Sequence, residues 1–184
     1  EVQMMLAAFS NMETIHIAAY SHLLDTIGMP ESEYSAFLHY KEMKDKYDFM
    51  HQFGSDTKAD IATMLATFGA FTEGLQLFAS FAILLNFPRF NKMKGMGQIV
   101  SWSVRDETLH TNSMIRLFNT FITENPEIWT NSMRHDLYRI CNTVVSHEDA
   151  FVGRAFELGG VEGLGPAEVK KYIRYVADRR LIQL

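Results

Sequence analysis

"FSNMETIHIAAYSHLL", residues 9–24, carries three polar side chains at positions where a helix buries apolar ones. Extended to both sides, the stripe is Val2, Leu6, Phe9, Glu13, His16, Tyr20, Leu23 and Ile27, stepping four and three residues alternately. That spacing keeps every member on one face of an α-helix. A second stretch, "SWSVRDETLHTNSM" at 101–114, repeats the pattern, with Val100, Ser103, Glu107, His110, Met114, Leu117 and Phe121 as its stripe. Between the two, residues 57–87 are apolar nearly all round, which predicts a central helix. Glu73 is the one acid between Asp60 and Pro88, on a stripe with Ala66, Ala70, Leu77 and Phe81.

Three carboxylates and two imidazoles therefore point into a core. An unpaired buried carboxylate protonates, pairs or binds a cation. These stripes offer no Lys or Arg, since Arg105 and Arg116 lie off the face. Residues three apart on a helix sit about 5–6 Å apart at Cβ, so each Glu and its His can reach a common ion. Two Glu-x-x-His helices with single acids from two others are how four-helix bundles hold a pair of iron or manganese ions. Oxygen and imidazole donors without thiolates suit those metals. One such tetrapeptide alone reads as a satisfied core histidine; two of them with a lone acid between read as a dinuclear site. Five candidate ligands also exceed what a tetrahedral zinc needs. His22, His39, His51, His135 and His147 lack a partner acid on a shared buried face and are expected at the surface or at caps.

The bulk numbers fit one all-α domain over residues 1–184. Expected helices run from the start to about residue 27, then 33–53 as an outer helix, 57–87 capped by Ser55, Asp56 or Thr57, 97–123, 127–158, and from Pro166 to the end. A net charge of −5 argues against a nucleic-acid surface. The single cysteine, Cys141, excludes an internal disulfide framework and fits a reducing cytoplasm. The longest apolar run, "GLQLFASFAILLNF", is too short by itself to span a bilayer, so no membrane partner is expected. Fourteen Phe and eleven Met read as filling for a helical core, with Phe68, Phe71, Phe78 and Phe81 among it.

Four segments, "ETIHIAAYSHLL", "FTEGLQLFASF", "SWSVRDETLHTNSM" and "YIRYVADRRL", resemble the small, radical-generating beta subunit of class I ribonucleotide reductase. The resemblance runs through nearly the whole chain. It implies a ferritin-like helical bundle, a homodimer, and a separate large (alpha) subunit that reduces ribonucleotides to deoxyribonucleotides. It implies that Glu13, His16, Glu73, Glu107 and His110 bind two iron ions, or manganese, or a mixed pair. Tyr20 would be oxidised to a stable radical in a dry pocket walled by Leu77, Phe81 and Ser103. Asp106 would back His16 as its second partner, a stage in the electron path. An upstream aspartate, an upstream tryptophan and a C-terminal tail of that family have no counterpart among these residues, so the domain is expected to be truncated at both ends. The alternatives are a ferritin-like iron oxidase or storage protein, an R2-like ligand-binding oxidase, and a metal-poor structural partner.

Overall fold

The computed structural model describes residues 1–36 and 39–184. Its helices are α1 (Val2–Thr26), α2 (Glu33–Ala36), α3 (Lys41–Met50), α4 (Lys58–Ala66), α5 (Phe78–Arg89), α6 (Lys94–Glu124), α7 (Asn131–Ala155) and α8 (Pro166–Gln183). Among the described residues there is no strand, only an isolated bridge between Val161 and Leu164. The all-α expectation holds. The outer helix expected over 33–53 is instead two pieces, α2 and α3, and residues 37 and 38 of that span lie outside the described residues.

The central helix starts where its cap was expected. Thr57 accepts from the Asp60 backbone while the Asp60 carboxylate accepts from Thr57 N–H, a complete capping box. Its middle is not α-helical: Thr67–Gln76 is a π-helical segment that joins α4 to α5. Nothing in a 3.6-residue pattern announces that widening. It coincides with close packing, since a Cβ on Gly69 would stand 2.3 Å from the Met114 Cβ of α6. Pro88 does not stop this helix but sits inside its last turn.

As one continuous stretch, Lys58–Arg89 is long and apolar enough to cross a membrane by length and composition alone, a test that a buried core helix also meets. Here it is the hub of the bundle, against which α6, α7 and α8 pack. Ala62, Ala66, Ala70, Phe71, Leu75 and Ala79 are sealed, and they share one core with Phe118, Val144, Val152, Val169 and Ile173. A smaller core forms around Phe81, Met96 and Val100, with Tyr20 and Leu23 of α1 leaning on it.

Helix α1 docks along α6 and buries no residue completely. Its predicted stripe is covered only in part: Phe9, His16, Tyr20 and Leu23 are half-buried, whereas Val2, Leu6 and Ile27 are exposed. Glu13 is exposed as well, so the expected burial of three carboxylates holds for Glu107, partly for Glu73 and not for Glu13. On α6 the sealed side runs from Val100 through Ser103, Glu107, His110 and Met114 to Phe118, so Phe118 takes the place expected for Leu117 and Phe121. A straight helix drifts about 20° per heptad, enough to move the stripe by one residue over that length.

Candidate metal centre

The Glu and His side chains of α1, the π segment and α6 converge between the two cores. Glu13, His16 and Glu107 offer donor atoms that all lie within 4.8 Å of one another; Glu73, Glu107 and His110 form a second such group. Glu107 belongs to both. Its two oxygens face opposite ways, Oε1 at 3.4 Å from His16 Nδ1 and Oε2 at 3.7 Å from His110 Nδ1. Glu13 Oε1 also lies between the rings, 3.5 Å from His16 Nδ1 and 3.4 Å from His110 Nδ1. Glu73 Oε2 stands 3.6 Å from His110 Nδ1. All five predicted ligands are thus brought together from three elements.

Among the described residues no Lys or Arg pairs with these acids. Burial, then the neighbouring Glu13, Glu73 and Asp106, push the Glu107 carboxyl up to about 8. Burial and Glu13 push Glu73 up to about 7. His110 is fully enclosed, and burial lowers its pKa. Glu73 Oε2 and His110 Nδ1 have no hydrogen-bond partner, although buried polar atoms almost always find one. A carboxylate oxygen and an imidazole nitrogen orphaned face to face are what a divalent cation would satisfy, so the donor set fits a metal. Oxygen and nitrogen donors alone, shared through Glu107, fit a pair of hard or borderline ions.

The two imidazoles differ on their far sides. His16 Nε2 lies 3.3 Å from Asp106 Oδ2, the pairing expected for that aspartate. Asp106 also reaches exposed Arg105, at 3.5 Å. His110 Nε2 instead faces the Met12 thioether at 3.5 Å, and Phe9 stacks on the ring at 4.1 Å between centroids. The sequence reading missed Met12; its place one turn from His16 was the available signal.

Tyr20 sits one turn beyond His16 and donates to Ser103 Oγ at 3.0 Å. Burial raises its pKa, against a lowering by the Ser103 bond. Leu77, Phe81 and Ser103 line the same space, as expected, with Ile17, Ser80 and Leu84. That space is not a sealed dry pocket: it is a cavity of about 390 Å³ whose walls include Leu77, 37% exposed, and Ile17, 69% exposed. Of the remaining histidines, His22, His39, His51 and His135 are exposed, and His147 packs half-buried against Phe49. Cys141 is buried, its thiol pushed up to about 12 by desolvation.

A helical bundle with two Glu-x-x-His helices and a lone Glu facing one centre supplies five of the six ligands in the layout of the ferritin-like carboxylate proteins. Comparison with known proteins narrows that class. The family model described as ribonucleotide reductase, small chain, matches residues 1–184, and the chain belongs to that family. It is 44% identical over 199 aligned residues to the probable ribonucleoside-diphosphate reductase small subunit 048L of Invertebrate iridescent virus 3, covering 98% of this chain and 53% of that protein. It is 42% identical to the 376L small subunit of Invertebrate iridescent virus 6, covering 98% of this chain and 60% of that protein. The ribonucleotide reductase R2 subunit of Clostridium botulinum shares the fold, with a TM-score of 0.90 at 20% identity over 99% of this chain and 59% of that one. The chain thus spans little more than half the length of the relatives it matches.

Proposed function

We propose that this chain is the metal-holding core of a ribonucleotide reductase small subunit, in which Tyr20 stores a one-electron oxidising equivalent for a separate large subunit. The carrying observation is the convergence of Glu13, His16, Glu73, Glu107 and His110 on one centre, with the Tyr20 phenol opening on the same cavity. In this reading Glu107 would serve both positions, Glu13 and His16 would hold one ion with it, and Glu73 and His110 the other. A pair of iron ions, or manganese, or one of each, supplies when bound the oxygen-dependent redox chemistry that no side chain has.

The protein's own residues do the rest. Asp106 accepts from His16 Nε2, fixing the ring so that Nδ1 faces the centre. Ser103 Oγ holds the Tyr20 hydroxyl. Loss of one electron makes a phenol strongly acidic, so its proton leaves as well. Ser103 Oγ can relay it only by passing on its own proton, and the carboxylates of Glu13 and Glu107 and the His16 imidazole in the same cavity are the bases able to accept it. In this reading the hydrogen-bonded His16–Asp106 pair is a stage on the path by which an electron returns to Tyr20. We further place the subunit in the cytoplasm as a homodimer, its oxidising equivalent passing to a thiol of the large subunit that converts ribonucleotides to deoxyribonucleotides.

The test is electron paramagnetic resonance after anaerobic Fe(II) loading and exposure to oxygen, in parallel with Tyr20→Phe. A tyrosyl signal in the parent that disappears in the variant is expected. Metal uptake with no tyrosyl signal overturns the radical reading. One observation favours a second reading, a ligand-binding oxidase: the cavity beside the centre has an apolar wall of Ile17, Leu77, Phe81 and Leu84. Mass spectrometry of an extract finding a stoichiometric apolar ligand would support it.

A further inference from the structure

The residue after Glu73 is held from outside its own helix. Gly74 O accepts from Arg180 Nε of α8 at 2.8 Å, in a fully buried contact. Arg180 is only 9% exposed, its Nη1 donates to Gln183 Oε1 at 2.9 Å, and its guanidinium lies 5.4 Å from the Phe78 ring centroid. Among the described residues no carboxylate lies within ion-pair reach of it. A buried guanidinium without an anion is unfavourable unless its donors are met, and here a main-chain carbonyl of the π segment meets one. The fit is tight on both sides of Gly74: a Cβ there would stand 2.7 Å from Arg180 Nε and 2.9 Å from Thr111 Cγ2, next to His110.

A π segment is rare and less favourable than α-helix, so its register needs outside support. A slip of one residue back toward α-helix would turn Glu73 by roughly 100° about the axis and take its carboxylate away from His110. We propose that Arg180 is a positioning residue for Glu73: by clasping Gly74 O it fixes the π register that aims Glu73 at the position shared with Glu107 and His110. This rests on the dinuclear reading above. Glu73 joins only one of the two donor groups, so the clasp acts on one metal position and not on the Glu13–His16–Glu107 position.

The experiment is Mn(II) titration of the whole 184-residue chain, reading free Mn(II) by electron paramagnetic resonance, with thermal unfolding of the metal-free protein measured alongside. The parent is expected to take up two ions. Arg180→Met should keep one at parental affinity and weaken the other about ten- to a hundredfold, the range for loss of an outer partner of a ligand. Gly74→Ala should do the same by pushing the clasp apart, and it decides the matter should Arg180→Met fail to fold. Val169→Ala, at a sealed position of the same helix, should lower the unfolding temperature yet leave both ions bound. Two ions at parental affinity in both clasp variants overturn the proposal. So does loss of one ion in Val169→Ala, because destabilisation of α8 alone would then account for the effect. A parent that takes up fewer than two ions overturns the dinuclear reading itself, before any variant is compared.

Discussion

Two buried carboxylates on this bundle are treated in opposite ways. Glu148 on α7 is fully enclosed and meets Lys46 of α3 in an ion pair, with the ammonium also 4.2 Å from the Phe151 ring centroid. Glu107 on α6 is nearly as enclosed, yet among the described residues it meets two imidazoles and three further acids and no Lys or Arg. The first neighbourhood holds a cation of the chain itself, although neither Glu148 oxygen gains a hydrogen bond; the second, among the described residues, holds none and could take a cation from solution. A buried acid by itself therefore marks no site, and the missing counter-charge does.

Removing the cation at the closed site gives the largest expected loss of stability. Lys46→Met leaves Glu148 buried and uncompensated and should destabilise the chain by about 3–5 kcal/mol, read by urea unfolding. Glu107→Gln should behave oppositely: in metal-free protein at pH 8 it removes a carboxyl whose ionisation is costly among burial and neighbouring acids, and it should raise stability. The same variant should abolish uptake of both ions, since both donor groups share Glu107. Equal destabilisation by the two substitutions would erase the contrast.

Next in size is the pH dependence. Glu73 and Glu107 have folded pKa values of about 7 and about 8, above the ordinary 4.5. Between those values the folded chain holds more protons than the unfolded one, so stability falls as pH rises. The contribution is complete below about 4.5 and is lost as pH passes through about 8. Glu148, at about 7, adds in the same direction. Saturating Mn(II) should flatten the fall to the share of Glu148 alone. Metal uptake at pH 7 should also release roughly one to two protons, measured by calorimetry in buffers of different ionisation enthalpy. Uptake without proton release would mean that these acids were already ionised.

A smaller effect is expected at the outer partner of His16. Asp106→Asn should weaken metal binding about tenfold, at the low end for such partners, with little change in metal-free unfolding. The smallest belongs to Tyr20→Phe, which loses the bond to Ser103 and should lower stability by about 1 kcal/mol.

Much of the site was legible because Glu13, His16, Tyr20, Ser103, Glu107 and His110 break apolar stripes at helical spacing, and helical spacing alone brings each set to one face. Glu73 was legible as the lone acid in the central run. The π segment was not, because the i→i+5 pattern leaves no trace in a 3.6-residue period. The Lys46–Glu148 pair was hidden for another reason: "KEMKDKYDFM" carries three lysines, and only the docking of α3 on α7 decides which one is enclosed. The openness of the Tyr20 cavity was not legible either: helical periodicity ranks the faces of α1 but does not say which of them is covered, and Ile15 and Ile17 are exposed.

The most direct measurement is anomalous X-ray diffraction from crystals of this chain soaked in Mn(II). Two peaks flanking Glu107, one beside His16 and one beside His110, are predicted, with none at Glu148. No peak between these two histidines, or manganese only at surface acids, would contradict the account.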